Sequence, residues 1–225
     1  MDVTRRIRFV VKPLLFLSCL VPFALVIADL YGVGGGSLGA NPIEEIQDRL
    51  GNWGLRFLML VLAVTPLRQI SGRAWLTRLR RMLGLFAFFY VFMHFLVWLI
   101  LDQELMLSAI AADIVERPFI TLGFAALLIL SALATTSTAR MRRRMGRAWQ
   151  KLHNCVYVAA VLGVWHYWWQ VKQDIREPLI YASILAVLLG YRVMRKLRRP
   201  ATPAPHRVAT GSKGNTTPYV QSNYQ

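Results

Sequence analysis

Apolar and charged positions along this chain segregate into long blocks rather than alternating within them. Six stretches are nearly free of charge and long enough for a helix to cross a hydrocarbon core, which takes about 20 residues. They lie near residues 9–31, 53–70, 82–101, 119–136, 152–171 and 179–194. The third, MLGLFAFFYVFMHFLVWLIL, holds one imidazole and no formal charge. The second carries Arg56 near its start, where an arginine is accommodated by snorkelling to the interface. No stretch alternates with period two for long enough to suggest a membrane barrel. The expected fold is all-α: a polytopic membrane bundle of six transmembrane helices over residues 1–199. Residues 200–225, rich in Pro, Thr, Ser and Asn, read as a disordered cytoplasmic tail. The first span reads as an anchor rather than a cleaved signal, since five spans would break the alternation of the loops.

Charge then sets the orientation. The 225 residues are 56% apolar yet carry 27 Lys+Arg against 11 Asp+Glu, a net charge of +16. On a soluble chain that excess would suggest nucleic acid. Here the basic clusters sit between spans, as in a protein embedded in membrane lipid, and no nucleic-acid partner is expected. With a cytoplasmic N-terminus, 22 of the 27 basic residues fall inside and ten of the 11 acids outside, leaving only Asp2 within. Both termini are therefore expected in the cytoplasm. Cys19 and Cys155 are too few for an iron–sulfur cluster. The run Gly34–Gly39 matches G-x-G-x-x-G but follows no strand and opens no βαβ unit, so it reads as a loop.

The histidines carry the candidate chemistry. His206 falls in the tail, whereas His94, His153 and His166 all lie in spans three and five. Ionisable groups inside a membrane are costly and tend to be functional, although a neutral imidazole also serves to bond a neighbouring helix. Counted from Arg81 and Lys151, His94 and His166 lie at about 20 Å and about 22 Å along their helices, and His153 at about 3 Å. Two imidazoles at one level can hold a haem iron between them. His153 is about 20 Å from His166 along one helix and cannot share that iron. It reads as an alternative ligand, a ligand to a second cofactor, part of the site where electrons arrive, or an unpaired structural residue. A directly bound zinc or iron would want three or four convergent ligands, and no intramembrane carboxylate accompanies these histidines. One b-type haem held by His94 and His166 is the expected centre. The run Trp165–Trp169 around His166 reads as an interfacial aromatic belt that also suits packing on a macrocycle.

Several stretches together carry a resemblance: Asn41-Pro42-Ile43-Glu44, Gly51-Asn52-Trp53-Gly54-Leu55, Thr65-Pro66-Leu67-Arg68, Arg80-Arg81-Met82-Leu83-Gly84-Leu85 leading to His94, and Trp149-Gln150-Lys151-Leu152-His153 leading to His166. On these the chain resembles the haem-binding membrane subunits of bacterial periplasmic protein-methionine-sulfoxide reductase systems, within the ferric-reductase-like transmembrane domains. The resemblance implies haem b with His94, His153 and His166 as the haem-associated positions, and FMN at residues it does not specify. It also implies an inner-membrane location and electrons drawn from the quinone pool or a flavin reductase. Their destination would be a periplasmic molybdopterin-containing subunit that reduces methionine sulfoxide in oxidised proteins. The chain would then be the electron-transfer subunit, not the catalytic one. Acids of the outer loops, Glu44, Glu45, Asp48, Asp102, Glu104, Asp113 and Glu116, would offer a docking surface for a basic patch on that partner. The rival reading is a transporter using the histidines for protons or a cation, with Pro22 and Pro66 as candidate breaks, although no internal repeat is visible. A purely structural anchor for a periplasmic enzyme is a third.

Overall fold

The computed structural model describes residues 3–33, 38–171 and 174–198. The expectations placed on Asp2, the run 34–37, Lys172, Arg199 and the tail with His206, Arg207 and Lys213 lie outside the described residues.

Every regular element among the described residues is helical. After a single turn at Val3–Arg6 come α1 (Ile7–Leu30), α2 (Pro42–Ser71) and α3 (Arg80–Asp102). A short α4 (Leu107–Glu116) leads to α5 (Pro118–Thr135). Two brief helices follow, α6 (Ala139–Met145) and α7 (Arg147–His153), then α8 (Val156–Gln170) and α9 (Arg176–Leu197). Five of these, α1, α2, α3, α5 and α9, are long and apolar enough to cross a membrane. The chain is a multi-pass helical membrane protein.

Two elements differ from the sequence expectation. The second span, expected from residue 53, begins at Pro42. Asn41 caps it by accepting from the Glu44 backbone N–H at 3.5 Å, Pro42 takes the first position, and Glu44 and Glu45 face the positive end of the helix dipole. Gly72, at φ 67°, closes its other end. The span expected at 152–171 is divided. His153 ends α7, Asn154 and Cys155 form a turn, and α8 has 15 residues, about 22 Å of helix. Asn154 is a poor helix former, and its side-chain oxygen takes a hydrogen bond from Gln150 Nε2 at 2.9 Å. By length, α8 alone does not match the other five.

Packing is most extensive between α2 and α3 and between α5 and α8, with α9 laid against α2 and α8. The α2–α3 contact depends on Gly54: a Cβ there would sit 2.7 Å from Val91 Cγ2 and 3.2 Å from the Val91 backbone nitrogen. Tyr90, fully buried on α3, donates its hydroxyl to Cys19 O at 2.8 Å and accepts from the Phe23 N–H at 3.0 Å, which ties α1 to the core. Arg192 ties α9 down by donating to Leu62 O at 2.6 Å and to the Tyr157 hydroxyl. Leu62 on α2, Ala87 on α3 and Ala159 and Ala160 on α8 have no exposed surface at all, so these three helices meet through small or tightly seated residues.

Candidate functional site

Helices α2, α3, α5 and α8 leave between them a cavity of about 470 Å³, within the size range of cofactor sites. Its mouth carries Asn41, Glu44, Asp48, Asp102, Arg117 and Gln170, which come from the beginnings of α2 and α5 and the ends of α3 and α8. Its depth is apolar, with Leu58, Val91, Leu127, Leu130 and Ala159.

His94 on α3 and His166 on α8 both line this cavity. Their ring centroids are 6.1 Å apart and their planes cross at 79°. The Nδ1 of His94 lies 2.8 Å from Gln47 O in α2, and the Nδ1 of His166 lies 2.7 Å from Phe119 O in α5. A carbonyl oxygen can only accept, so both Nδ1 atoms donate a proton and both Nε2 lone pairs remain for a ligand. In each case the acceptor precedes its histidine by 47 residues.

The separation bears on what such a pair can hold. Two metal–imidazole bonds of about 2 Å, with half the width of each ring added, give a centroid separation of about 6 Å. The pair therefore has the spacing of two axial ligands on one iron. Two neutral imidazoles above an apolar depth are also the donor set and setting of a b-type haem. Among the described residues there is no group of three or more His, Cys, Asp or Glu that could hold a bare metal ion.

His153 is not brought to this cavity. As the last residue of α7 it stacks on Trp149, with centroids 3.9 Å apart and planes at 25°. Its Nδ1 lies 3.2 Å from Trp149 O on its own helix. Trp149 is fixed in turn, donating Nε1–H to Thr136 O at 3.0 Å. The aromatic run of α8 splits: Tyr167 lines the cavity and donates its hydroxyl to Glu177 at 2.7 Å. Trp165, Trp168 and Trp169 line a separate groove against α9. Of the acids expected to form a docking surface, Glu45 is engaged by Arg49 at 2.7 Å and Asp113 by Arg117 at 3.2 Å. Asp48 accepts from Gln170 at 3.1 Å, while Glu44 and Asp102 join it at the cavity mouth.

Sequence reasoning missed the residues that seat the two rings. Gly51 and Gly123 lie against the imidazoles of His94 and His166, and each stands four residues beyond the carbonyl that its histidine uses. The shared spacing of glycine and histidine in the two helix pairs was the available signal.

The profile described as ferric reductase like transmembrane component matches residues 50–164, which include His94 and His153 and stop two residues short of His166. A protein of Xanthomonas euvesicatoria pv. vesicatoria (strain 85-10), named protein-methionine-sulfoxide reductase heme-binding subunit MsrQ, is 48% identical over 203 residues, spanning 86% of this chain and 93% of the relative. A protein of the same name from Bordetella pertussis (strain Tohama I) is 47% identical over 192 residues, spanning 84% and 91% of the two chains. One from Xanthomonas campestris pv. campestris (strain 8004) is 51% identical over 173 residues, or 77% and 79%.

Proposed function

The chain belongs to the ferric-reductase-like transmembrane family, alongside the MsrQ heme-binding subunits, and from that premise we propose that it binds haem b between His94 and His166 and serves as a membrane electron-transfer subunit. The observation that carries this reading is the imidazole pair, 6.1 Å apart, with each Nδ1 proton taken up by the backbone of a neighbouring helix. When bound there, haem supplies a one-electron iron centre whose potential responds to axial ligands, hydrogen bonds and burial. His94 and His166 would hold the iron through their Nε2 atoms. The carbonyls of Gln47 and Phe119 fix the tautomer of each ring and raise its basicity. Leu58, Leu127, Leu130 and Ala159 keep water from the cavity depth. His153, remote from the pair, takes its role on the side where electrons arrive.

In this reading the basic end of the bundle, with Arg68, Arg80 and Arg81, faces the cytoplasm, and the acidic cavity mouth faces the periplasm. Both termini are then cytoplasmic, and α7 and α8 together make the sixth crossing of the inner membrane. Electrons come from the quinone pool or a flavin reductase. They pass to a periplasmic molybdopterin-containing subunit that reduces methionine sulfoxide. FMN belongs to the reading by resemblance, and no residue is assigned to it.

A reduced-minus-oxidised absorption spectrum of the detergent-purified protein, with haem quantified per chain, tests the proposal. The expected result is a low-spin b-type spectrum at about one haem per chain, lost from His94→Ala and from His166→Ala. Haem-free protein from haem-replete cells would overturn it and move proton or cation transport to the front.

A further inference from the structure

The two histidines do not meet their carbonyls on ordinary helix surfaces. In an α-helix the carbonyl of one residue accepts from the N–H four residues on, and the side chain at that later position flanks the oxygen's remaining lone pair. At both acceptors the flanking residue is glycine: Gly51 beyond Gln47 and Gly123 beyond Phe119. A Cβ at position 51 would stand 3.2 Å from His94 Nδ1 and 3.3 Å from its Cε1. A Cβ at position 123 would stand 2.9 Å from both Nδ1 and Cε1 of His166. Unstrained carbon contacts begin at about 3.5 Å. Either methyl group would push the ring off its carbonyl, and the one at position 123 more strongly.

We propose that Gly51 and Gly123 are positioning residues that expose the Gln47 and Phe119 carbonyls to the ligand imidazoles and so hold the two ring planes near the observed 79°. The proposal rests on the haem reading above. Neither glycine touches the cofactor through a side chain; each acts through the ring it seats.

Electron paramagnetic resonance of the ferric, haem-loaded protein reads the angle directly. Axial imidazoles that are nearly perpendicular give a low-spin signal with a larger maximum g value than parallel ones. Wild type is expected to show the large value. Gly123→Ala is expected to lower it and to weaken haem retention roughly 10-fold. Gly51→Ala should move both in the same direction by less. Gly190→Ala, on α9 where nothing lies within 4 Å, is the control and should match wild type. A wild-type signal of the parallel type would overturn the proposal, as would Gly123→Ala with unchanged signal and haem content. So would a Gly190→Ala shift as large as that of Gly123→Ala. Should Gly123→Ala fail to fold by size-exclusion chromatography, Gly51→Ala decides the matter, and its identity with wild type would overturn the proposal. If His94→Ala and His166→Ala retain the wild-type signal, the ligand assignment itself has failed, whatever the glycine variants do.

Discussion

At one end of the bundle His94 and His166 enter a common cavity, and each is anchored to a carbonyl on a different helix, 47 residues away in sequence. At the other end His153 lies flat on Trp149 and leans on a carbonyl of its own helix, four residues back. His94 and His166 sit within long apolar helices and His153 ends a short basic one, and their positions have different physical origins. The pair is held by tertiary packing, so anything that shifts α2 against α3 or α5 against α8 moves a ring. His153 is held by a carbonyl of its own helix and by the face of Trp149, which is itself bonded to Thr136 O at the end of α5, so a shift of α2 against α3 leaves it in place. Proximity in three dimensions, not the presence of a histidine, brings two imidazoles to one cavity.

The sharpest way to break this contrast is to remove the histidines one at a time. His94→Ala or His166→Ala should each weaken haem binding by at least roughly 10-fold, whereas His153→Ala should leave the low-spin signal of the pair in place. Equal loss in all three variants, measured as haem per purified chain, would erase the distinction. Next in size is Gly54→Leu. Its side chain has to displace Val91 and its backbone, 2.7 and 3.2 Å from the position of the new Cβ. A cost of about 3 kcal/mol and a lower midpoint in detergent thermal denaturation are expected. The His94–Gln47 contact should loosen with it, while the stacking of His153 on Trp149 stays.

Tyr90→Phe removes the hydroxyl shared by Cys19 O and the Phe23 N–H and should cost about 1 kcal/mol, because these two groups, four residues apart in α1, fall back on each other as an ordinary helical pair. The haem spectrum should not change, since α1 contributes nothing to the cavity lining; a spectral shift would mean that α1 steers the pair. Arg56→Gln gives up a 3.0 Å bond to the Tyr181 hydroxyl and a cation–π contact 4.8 Å above Trp53. About 1 kcal/mol of thermal stability is expected to go with them. The smallest effect on the haem spectrum is set for Trp149→Ala, which frees the His153 ring and gives up the bond to Thr136 O. It should leave the electron paramagnetic resonance signal of the His94–His166 centre as in wild type, and a change there would join the two ends that the structure keeps apart.

Much of the fold was legible in the sequence because a hydrocarbon core demands long charge-free runs, and such runs stand out. Five of the six expected stretches correspond to helices long enough to span. The boundaries were less legible. The first turns of α2 are polar and read as loop, and their helicity depends on Asn41, Pro42 and the two glutamates acting at one end. The break at Asn154–Cys155 was hidden because Cys155 reads as one more apolar residue, and hydropathy does not register a turn. For the site, depth arithmetic placed His94 and His166 at one level, since rise per residue is nearly constant in a helix. It said nothing about ring orientation or the carbonyls that receive the Nδ1 protons, which depend on helix rotation.

What the sequence determined by itself is the class of the molecule and the chemistry at its disposal: apolar helices of membrane length, a strong charge bias, and three imidazoles within the expected third and fifth spans. These follow from composition and spacing because the bilayer acts as a uniform solvent along each helix. What only the tertiary structure decided is which imidazoles meet. It sets His94 and His166 6.1 Å apart at 79°, leaves His153 on its own helix, and gives Gly51 and Gly123 their place against the rings. Those facts depend on how four helices are rotated about their axes and how closely they approach. A glycine in a sequence marks where closeness is possible, and only a packed neighbour determines whether it is used.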